Sequence, residues 1–180
     1  KDNVTIVPTI WGDNYTPELI EQSTNKFASN EFIIKPCISA GASDTFRLNT
    51  KDGSINHQQL KTVFGNREFM IQPFVDAVVD EGEYSLFYFN GELSHTILKK
   101  PKANDFRVQE EFGGHLSLIT PEKKLVEAAK KALAAIPYET LYARLDFVRL
   151  DSNKVNMRFA LMEAELIEPS LYFNMDDQSA

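Results

Sequence analysis

Cys37 is the only cysteine in the chain, so no disulfide can form within it, and a reducing, cytoplasmic compartment is the plain reading. No apolar run approaches the roughly 20 residues that a membrane-spanning helix needs, and no signal peptide is present, so a soluble protein without a membrane partner is expected. Basic residues are the minority: 19 Lys and Arg face 26 Asp and Glu, for a formal charge of −7. That balance excludes a general nucleic-acid surface, because phosphate-backbone binding is driven by Lys and Arg. His57, His95 and His115 have no metal-ligand spacing and Cys37 has no nearby histidine, which removes zinc and cysteine-nucleophile chemistry. Internal repeats and low-complexity segments are also missing.

What is there is enough for a real core: 180 residues, 43% of them hydrophobic, form one domain or two small lobes. Periodicity and turn signals predict a short strand over 4–8 and a helix opened by Thr16-Pro17-Glu18 and running to about Phe27, with Thr16 as cap and Pro17 at its first position. Strands follow over 32–36 and 45–48, then a helix over 58–64 and a strand over 69–74. A lobe boundary falls near 72–75. Asn90-Gly91 between two alternating runs marks a hairpin of strands 83–89 and 92–99. Residues 100–115 read as a long functional loop, 121–136 as an amphipathic helix capped by Thr120, and 142–150 and 158–167 as the last two strands.

The acidic residues of those last strands carry the chemistry. Residues two apart in a strand point the same way, so Glu163 and Glu165 share a face and converge with Asp146 on a neighbouring strand. Their neighbours Leu145, Phe147, Leu161 and Met162 mark core strands, where carboxylates are costly unless paired or metal-bound. Hard oxygen ligands suit Mg2+ or Mn2+, and Mg2+ held this way usually comes with substrate phosphates. Local charge agrees: residues 99–107 hold Lys99, Lys100, Lys102 and Arg107 against Asp105 alone, whereas 163–177 hold five acids and no base. Arg107 offers a planar fork and Lys99 a point charge, so Arg107→Lys is expected to be the more damaging exchange and Lys99→Arg the milder one. Lys35 precedes Pro36 and a small-residue loop that includes Ser39, Gly41 and Ala42, whose backbone amides could cover phosphates, although a Walker ending is lacking. Extended backbone at Gln72-Pro73-Phe74-Val75 could face an adenine edge. A solvated lysine and an ordinary strand are the bland alternatives for these two.

In order and spacing, Ile34-Lys35-Pro36, the 39–43 loop, Gln72-Pro73-Phe74, Asp105-Phe106-Arg107-Val108-Gln109, Arg144-Leu145-Asp146 and the run Glu163-Ala164-Glu165-Leu166-Ile167-Glu168-Pro169-Ser170 resemble the ATP-grasp superfamily. Within it the chain is most similar to the branch holding prokaryotic glutathione synthetase, the ribosomal-protein S6 modification enzymes and, especially, the cyclo-ligase of D-cycloserine biosynthesis. The resemblance implies an α+β fold of two lobes with mainly antiparallel sheets enclosing a nucleotide cleft, a lid lobe over 1–72 and a C-terminal core lobe over 73–180. It implies an ATP-dependent carboxylate-amine or cyclo-ligase acting through an acyl phosphate on small-molecule carboxylate and amine substrates; a homo-oligomer is compatible with it. Lys35, Ser39, Gly41, Ala42, Gln72, Pro73, Phe74, Val75 and Glu83 match nucleotide-binding positions, Lys99 and Arg107 match residues holding terminal phosphate and substrate carboxylate, and Asp146, Glu163 and Glu165 match the metal ligands. The third ligand is commonly Asn in this fold, so Glu165 adds a negative charge. The family's N-terminal domain and an upstream phosphate-contacting lysine have no counterpart here, so a fragment of a longer enzyme, inactive alone, is expected. A non-catalytic nucleotide-binding module and an ATP-grasp kinase are the rival readings.

Overall fold

The computed structural model describes residues 4–150 and 158–176; Asp177, one of the five acids counted over 163–177, lies outside them. The chain divides into two compact units, Val7–Phe74 and Lys1–Ile6 with Val75–Ala180, each built on an antiparallel sheet.

In the first unit, β1 (Ile10–Gly12), β2 (Glu31–Pro36), β3 (Phe46–Asn49) and β4 (Phe69–Pro73) run in the order β1-β4-β2-β3. Two helices, α1 (Glu18–Phe27) and α2 (His57–Phe64), belong to it. Alternation along β2 buries Phe32 and Ile34, and these join Tyr15, Leu60, Phe64 and Ile71 in one apolar core. Asn56 caps α2 by accepting from the Gln59 N–H at 3.0 Å, as expected of a short Asn side chain at that position. The start of α1 meets the expectation for Pro17 but not for the Thr16 cap. Pro17 is itself helical and the helix has no side-chain cap, because the Thr16 hydroxyl bonds the Glu18 carboxylate and, as the largest influence there, holds its pKa below the ordinary value. No named strand covers 4–8; Ile6 makes an isolated parallel bridge to Leu161 instead, while β1 begins at Ile10.

The second unit orders its strands β7-β6-β5-β8-β9, where β5 is Glu83–Phe89, β6 Glu92–Lys100, β7 His115–Leu118, β8 Tyr142–Arg149 and β9 Phe159–Glu165. A four-residue helix, α3 (Ala77–Asp80), precedes β5, and α4 (Lys123–Ala134) packs its buried Leu125, Ala129 and Ala132 on one face of the sheet. That face carries Leu86, Tyr88, Leu145 and Phe147. Burial removes apolar surface from water at about 25 cal/mol per Å2, which fixes the register and so decides what the opposite face presents. The β5–β6 turn has positive φ at both Asn90 (48°) and Gly91 (82°), the signature of a tight hairpin turn that matches strand twist. α4 starts with Glu122 at its cap position and no side-chain bond, so Thr120 does not cap it. β7 and a 3₁₀ turn over Glu110–Phe112 lie within or beside the stretch read as loop.

Gly82 fixes how β5 enters the sheet. Its φ is +117°, and an added Cβ would lie 2.6 Å from the Lys99 carbonyl oxygen and 2.9 Å from Leu98 Cδ1. Gly82→Ala therefore meets both a disallowed conformation and backbone, and is expected to cost at least about 2 kcal/mol. Gly53, at φ +66° with nothing within 4 Å of its Cβ position, should lose only about 1 kcal/mol on the same exchange. Urea unfolding of the two variants checks this; equal midpoints would show that the Gly82 contact relaxes without cost.

Candidate active site

The polar face of the second sheet is assembled by register. Glu83 lies opposite Lys99, Ser85 opposite Asp146, Arg144 opposite Glu165, and Asp146 opposite Glu163. Directly opposed residues share a face, so Glu83, Ser85, Lys99, Arg144, Asp146, Glu163 and Glu165 all project away from α4. β9 reaches this arrangement through a bulge: Phe147 pairs with Leu161 but Asp146 pairs with Glu163, leaving Met162 as the extra residue. Strict alternation would have turned Glu163 and Glu165 to the side of Phe159 and Leu161. The bulge re-aims them.

One oxygen each from Asp146, Glu163 and Glu165 lies within 4.8 Å of the others, so the structure brings the three expected metal ligands together. Asp146 is fully buried; it accepts from Ser85 Oγ at 2.5 Å and from Arg144 Nε at 3.1 Å, and stands 3.6 Å from Lys99 Nζ. Lys99 Nζ also donates to Glu83 Oε1 at 3.1 Å, and Arg144 Nη2 bridges Asp146 and Glu165. Burial alone would raise the Asp146 pKa, but Lys99, Arg144 and the Ser85 hydroxyl overcome it and hold the carboxyl below its ordinary range. For Lys99, burial is outweighed by Asp146 and Glu83, and its pKa is raised. Glu83 goes the other way: burial, reinforced by Asp146 and Glu163, pushes its carboxyl up to about 7 despite Lys99.

Four carboxylates (Glu83, Asp146, Glu163, Glu165) thus surround two cations (Lys99, Arg144). The surplus is what a divalent cation balances, and an all-oxygen donor set suits Mg2+ or Mn2+. The residues present fit such an ion.

Arg144, which the sequence reading places only within the Arg144-Leu145-Asp146 motif, belongs to the site. The signal was available, since it is two residues from Asp146 on the same strand and must share its face. Arg107 stands apart from the cluster's contacts: it grips Asp105 through Nε at 3.1 Å and Nη2 at 2.9 Å and lies 3.8 Å over the Phe112 ring. The Lys99 side chain is 4% exposed, against 35% for Arg107. A buried ammonium held between two carboxylates leaves no room for a guanidinium, so for stability, as distinct from activity, Lys99→Arg is the more costly exchange. That exchange should destabilise by about 1 to 3 kcal/mol through overpacking, and Arg107→Lys by no more than about 1 kcal/mol. Thermal unfolding of the pair checks the order; a larger loss for Arg107→Lys would refute it.

In the first unit, Lys35 is paired with Met70, on the sheet face opposite Phe32 and Ile34. Trp11, 64% exposed, is opposite Met70 from the other side. Ser39, Gly41 and Ala42 lie in the loop between β2 and β3. Gly41 and Ala42 have positive φ, and Ser39 Oγ donates to the Ser43 carbonyl at 3.0 Å. Arg67 holds this loop from outside, donating to Asp44 at 2.7 Å and to the Ile38 carbonyl at 3.1 Å. Gln72 is buried and its Nε2 donates to Thr9 Oγ1 at 3.0 Å. β2 pairs with Gln72 and Pro73, whereas β1 pairs only as far as Ile71. The Phe74 N–H is committed to the Glu31 carbonyl at 2.9 Å, and its ring lies 3.6 Å from the Arg47 guanidinium. Val75 opens the second unit.

The family described as prokaryotic glutathione synthetase, ATP-grasp domain, matches residues 14–152. The chain belongs to this family. Its ATP-grasp fold superposes on the crystal structure of D-cycloserine synthetase DcsG with a TM-score of 0.80 at 22% identity, covering 97% of this chain and 61% of that one. The ATP-grasp ligase PsnB, complexed with minimal precursor, Mg and ADP, gives 0.64 at 10% identity over 98% of this chain and 49% of that one. D-alanine–D-alanine ligase from Bacillus anthracis, complexed with ATP, gives 0.60 at 17% identity over 91% and 50%. The chain therefore spans about half to three-fifths of these ligases' lengths. No curated protein matches its sequence. Among the described residues, no helix is long and apolar enough to cross a membrane.

Proposed function

We propose that this ATP-grasp chain serves an ATP-dependent ligase that activates a small-molecule carboxylate as an acyl phosphate and joins it to an amine or closes it on itself. One observation carries the reading: Asp146, Glu163 and Glu165 offer oxygens within 4.8 Å of one another on a sheet face that also presents Lys99 and Arg144. In phosphoryl transfer the protein's part is mainly positioning and charge neutralisation, for which a carboxylate-held divalent ion beside fixed cations is suited.

Asp146, Glu163 and Glu165 would hold Mg2+, or Mn2+, which when bound neutralises charge on the transferred phosphoryl. Lys99 and Arg144, locked by buried ion pairs, hold fixed positive charge where the carboxylate and γ-phosphate meet. Arg107, oriented by Asp105 and Phe112, is assigned to the terminal phosphate or substrate carboxylate from the loop side. Lys35 with Ser39, Gly41 and Ala42 is assigned to the nucleotide phosphates, and Gln72, Pro73 and Val75, beside Phe74, to adenine. Residues 1–72 and 73–180 are the proposed lid and core lobes.

The test is ADP formation by the full-length gene product from Mg-ATP with amino-acid carboxylates, run with and without hydroxylamine. A hydroxamate formed only when both ATP and carboxylate are present supports the ligase. ADP with a stable phosphorylated product and no hydroxamate would make this an ATP-grasp kinase, and nucleotide binding with no ADP at all would leave a binding module.

A further inference from the structure

His95 sits on the polar face of the second sheet but takes no part in the acid–base cluster. It is 5% exposed and lies flat on the Phe87 ring, with centroids 4.3 Å apart and planes 4° from parallel. Nε2 is 2.9 Å from the Leu171 carbonyl oxygen, and Nδ1 is 3.0 Å from Ser94 Oγ. A carbonyl can only accept, so Nε2 carries the proton, and in the neutral ring Nδ1 accepts from the Ser94 hydroxyl. That tautomer is fixed by its two partners, not by chance.

Leu171 belongs to the segment that follows β9, and this segment crosses the sheet over the cluster. The Glu168 N–H donates to Tyr142 Oη at 3.3 Å, and Arg144 Nη1 donates to the Ser170 carbonyl at 3.4 Å. The Phe173 ring stacks on Phe89 at 5.7 Å. Tyr172, with φ +51°, meets Phe87 edge-on at 6.1 Å, and its ring centroid is 5.9 Å from Lys99 Nζ. The segment contains no strand pairing, so side chains alone hold it. Beside the Phe87 edge contact of Tyr172 itself, His95 holds the backbone one residue before it, at the Leu171 carbonyl.

We propose that His95 is a positioning residue, which latches residues 170–173 over the Lys99–Arg144–Asp146 cluster so that Tyr172 forms a wall that keeps water from the reacting phosphate. The proposal rests on the ligase reading for its chemical consequence, not for the latch itself. An acyl-phosphate enzyme needs such a wall, because closing a site against water prevents hydrolysis of what it activates. Uncoupled hydrolysis forms a bond from water oxygen to the γ-phosphorus, breaks the bond to the bridging oxygen of ADP and releases a proton to solvent.

Two substitutions separate the latch from the ring. His95→Phe keeps the stack on Phe87 and removes the donor, whereas His95→Gln keeps a donor near the Nε2 position and removes the ring. Hydrogen exchange at residues 170–173 of the full chain should be about 3- to 10-fold faster in His95→Phe, the worth of one net hydrogen bond, and return most of the way in His95→Gln. ADP release with Mg-ATP alone should rise in the same order. Unchanged exchange in His95→Phe, or equal exchange in both variants, overturns the latch. Faster exchange with unchanged ADP release overturns the role of Tyr172 as a wall. No ADP release from the unsubstituted protein even when Mg-ATP and a carboxylate substrate are both supplied counts against the ligase reading alone, and the exchange data still decide the latch. Should His95→Phe fail to fold, Phe173→Ala, on the half-exposed side of the segment, is read the same way, with the same speeding expected and its absence contrary.

Discussion

Asp146→Ala is expected to destabilise the protein by about 3 to 5 kcal/mol, the loss typical when one partner of a buried ion pair is removed. Asp146 is fully buried and holds Lys99, Arg144 and the Ser85 hydroxyl at once. Without it, Lys99 keeps only Glu83, whose carboxyl is pushed up to about 7 by burial, and Arg144 keeps Glu165 at the edge strand. Two buried cations would then be poorly matched in a low-dielectric setting, where desolvation is most expensive. Asp146→Asn should recover only part, because it removes the negative charge that balances Lys99 and Arg144 and turns an N–H donor toward one of these two cations, which only donate, even though the Ser85 hydroxyl can turn to accept. Glu165, with a side chain 35% exposed, should lose no more than about 1 kcal/mol on replacement by Ala. Urea unfolding of the three variants measures the series. A loss below about 1 kcal/mol for Asp146→Ala would mean that Lys99 and Arg144 find solvent, and the picture of a buried charge cluster would be wrong.

The parts of this cluster were unequally legible in the sequence. The convergence of Asp146, Glu163 and Glu165 follows from spacing, yet the same rule carried a conflict: Phe159, Leu161, Glu163 and Glu165 are all odd-numbered, so strict alternation would have sent the glutamates into the core. Only the bulge at Met162 resolves it, and a one-residue insertion leaves no mark in a hydrophobic pattern. Arg144 was readable from its spacing to Asp146. The burial of Lys99 was not, because it comes from two strands on one side and a C-terminal segment on the other, both remote in sequence. Among the elements, the Asn90–Gly91 hairpin could be read because its φ requirement is met by few residue pairs. β7 was lost in the loop reading for the opposite reason. His115, Ser117 and Leu118 are exposed on an edge strand, so neither burial nor alternation shaped that sequence. Thr120 has a cap-type side chain near a helix start, but a residue type signals a cap only if the backbone turns there, and α4 begins further on; Thr16 directly precedes the helical Pro17, but its hydroxyl is taken by the Glu18 carboxylate.

In the full-length protein, Glu163→Gln is expected to lower the rate of the proposed ligation by about 10^2- to 10^3-fold, the range for losing one preorganised electrostatic contribution to a charged transition state. The substitution is nearly isosteric and the carboxylate lies on edge strand β9, so the fold should survive. What changes is charge. The cluster's surplus of carboxylates over cations is the feature that fits a divalent ion, and removing one carboxylate halves that surplus while leaving Lys99 and Arg144 in place to repel the ion. Binding of Mn2+, followed by its electron paramagnetic resonance signal, should therefore weaken by at least about tenfold. The two readouts guard each other: weaker Mn2+ binding with an intact rate would place the ion outside the reaction, and a lost rate with intact Mn2+ binding would make Glu163 a contact to substrate. Activity within about twofold of the unsubstituted enzyme, with unaltered Mn2+ binding, would sink the metal assignment, and the carboxylates would then have to be explained as the anionic half of a purely structural charge network around Lys99 and Arg144.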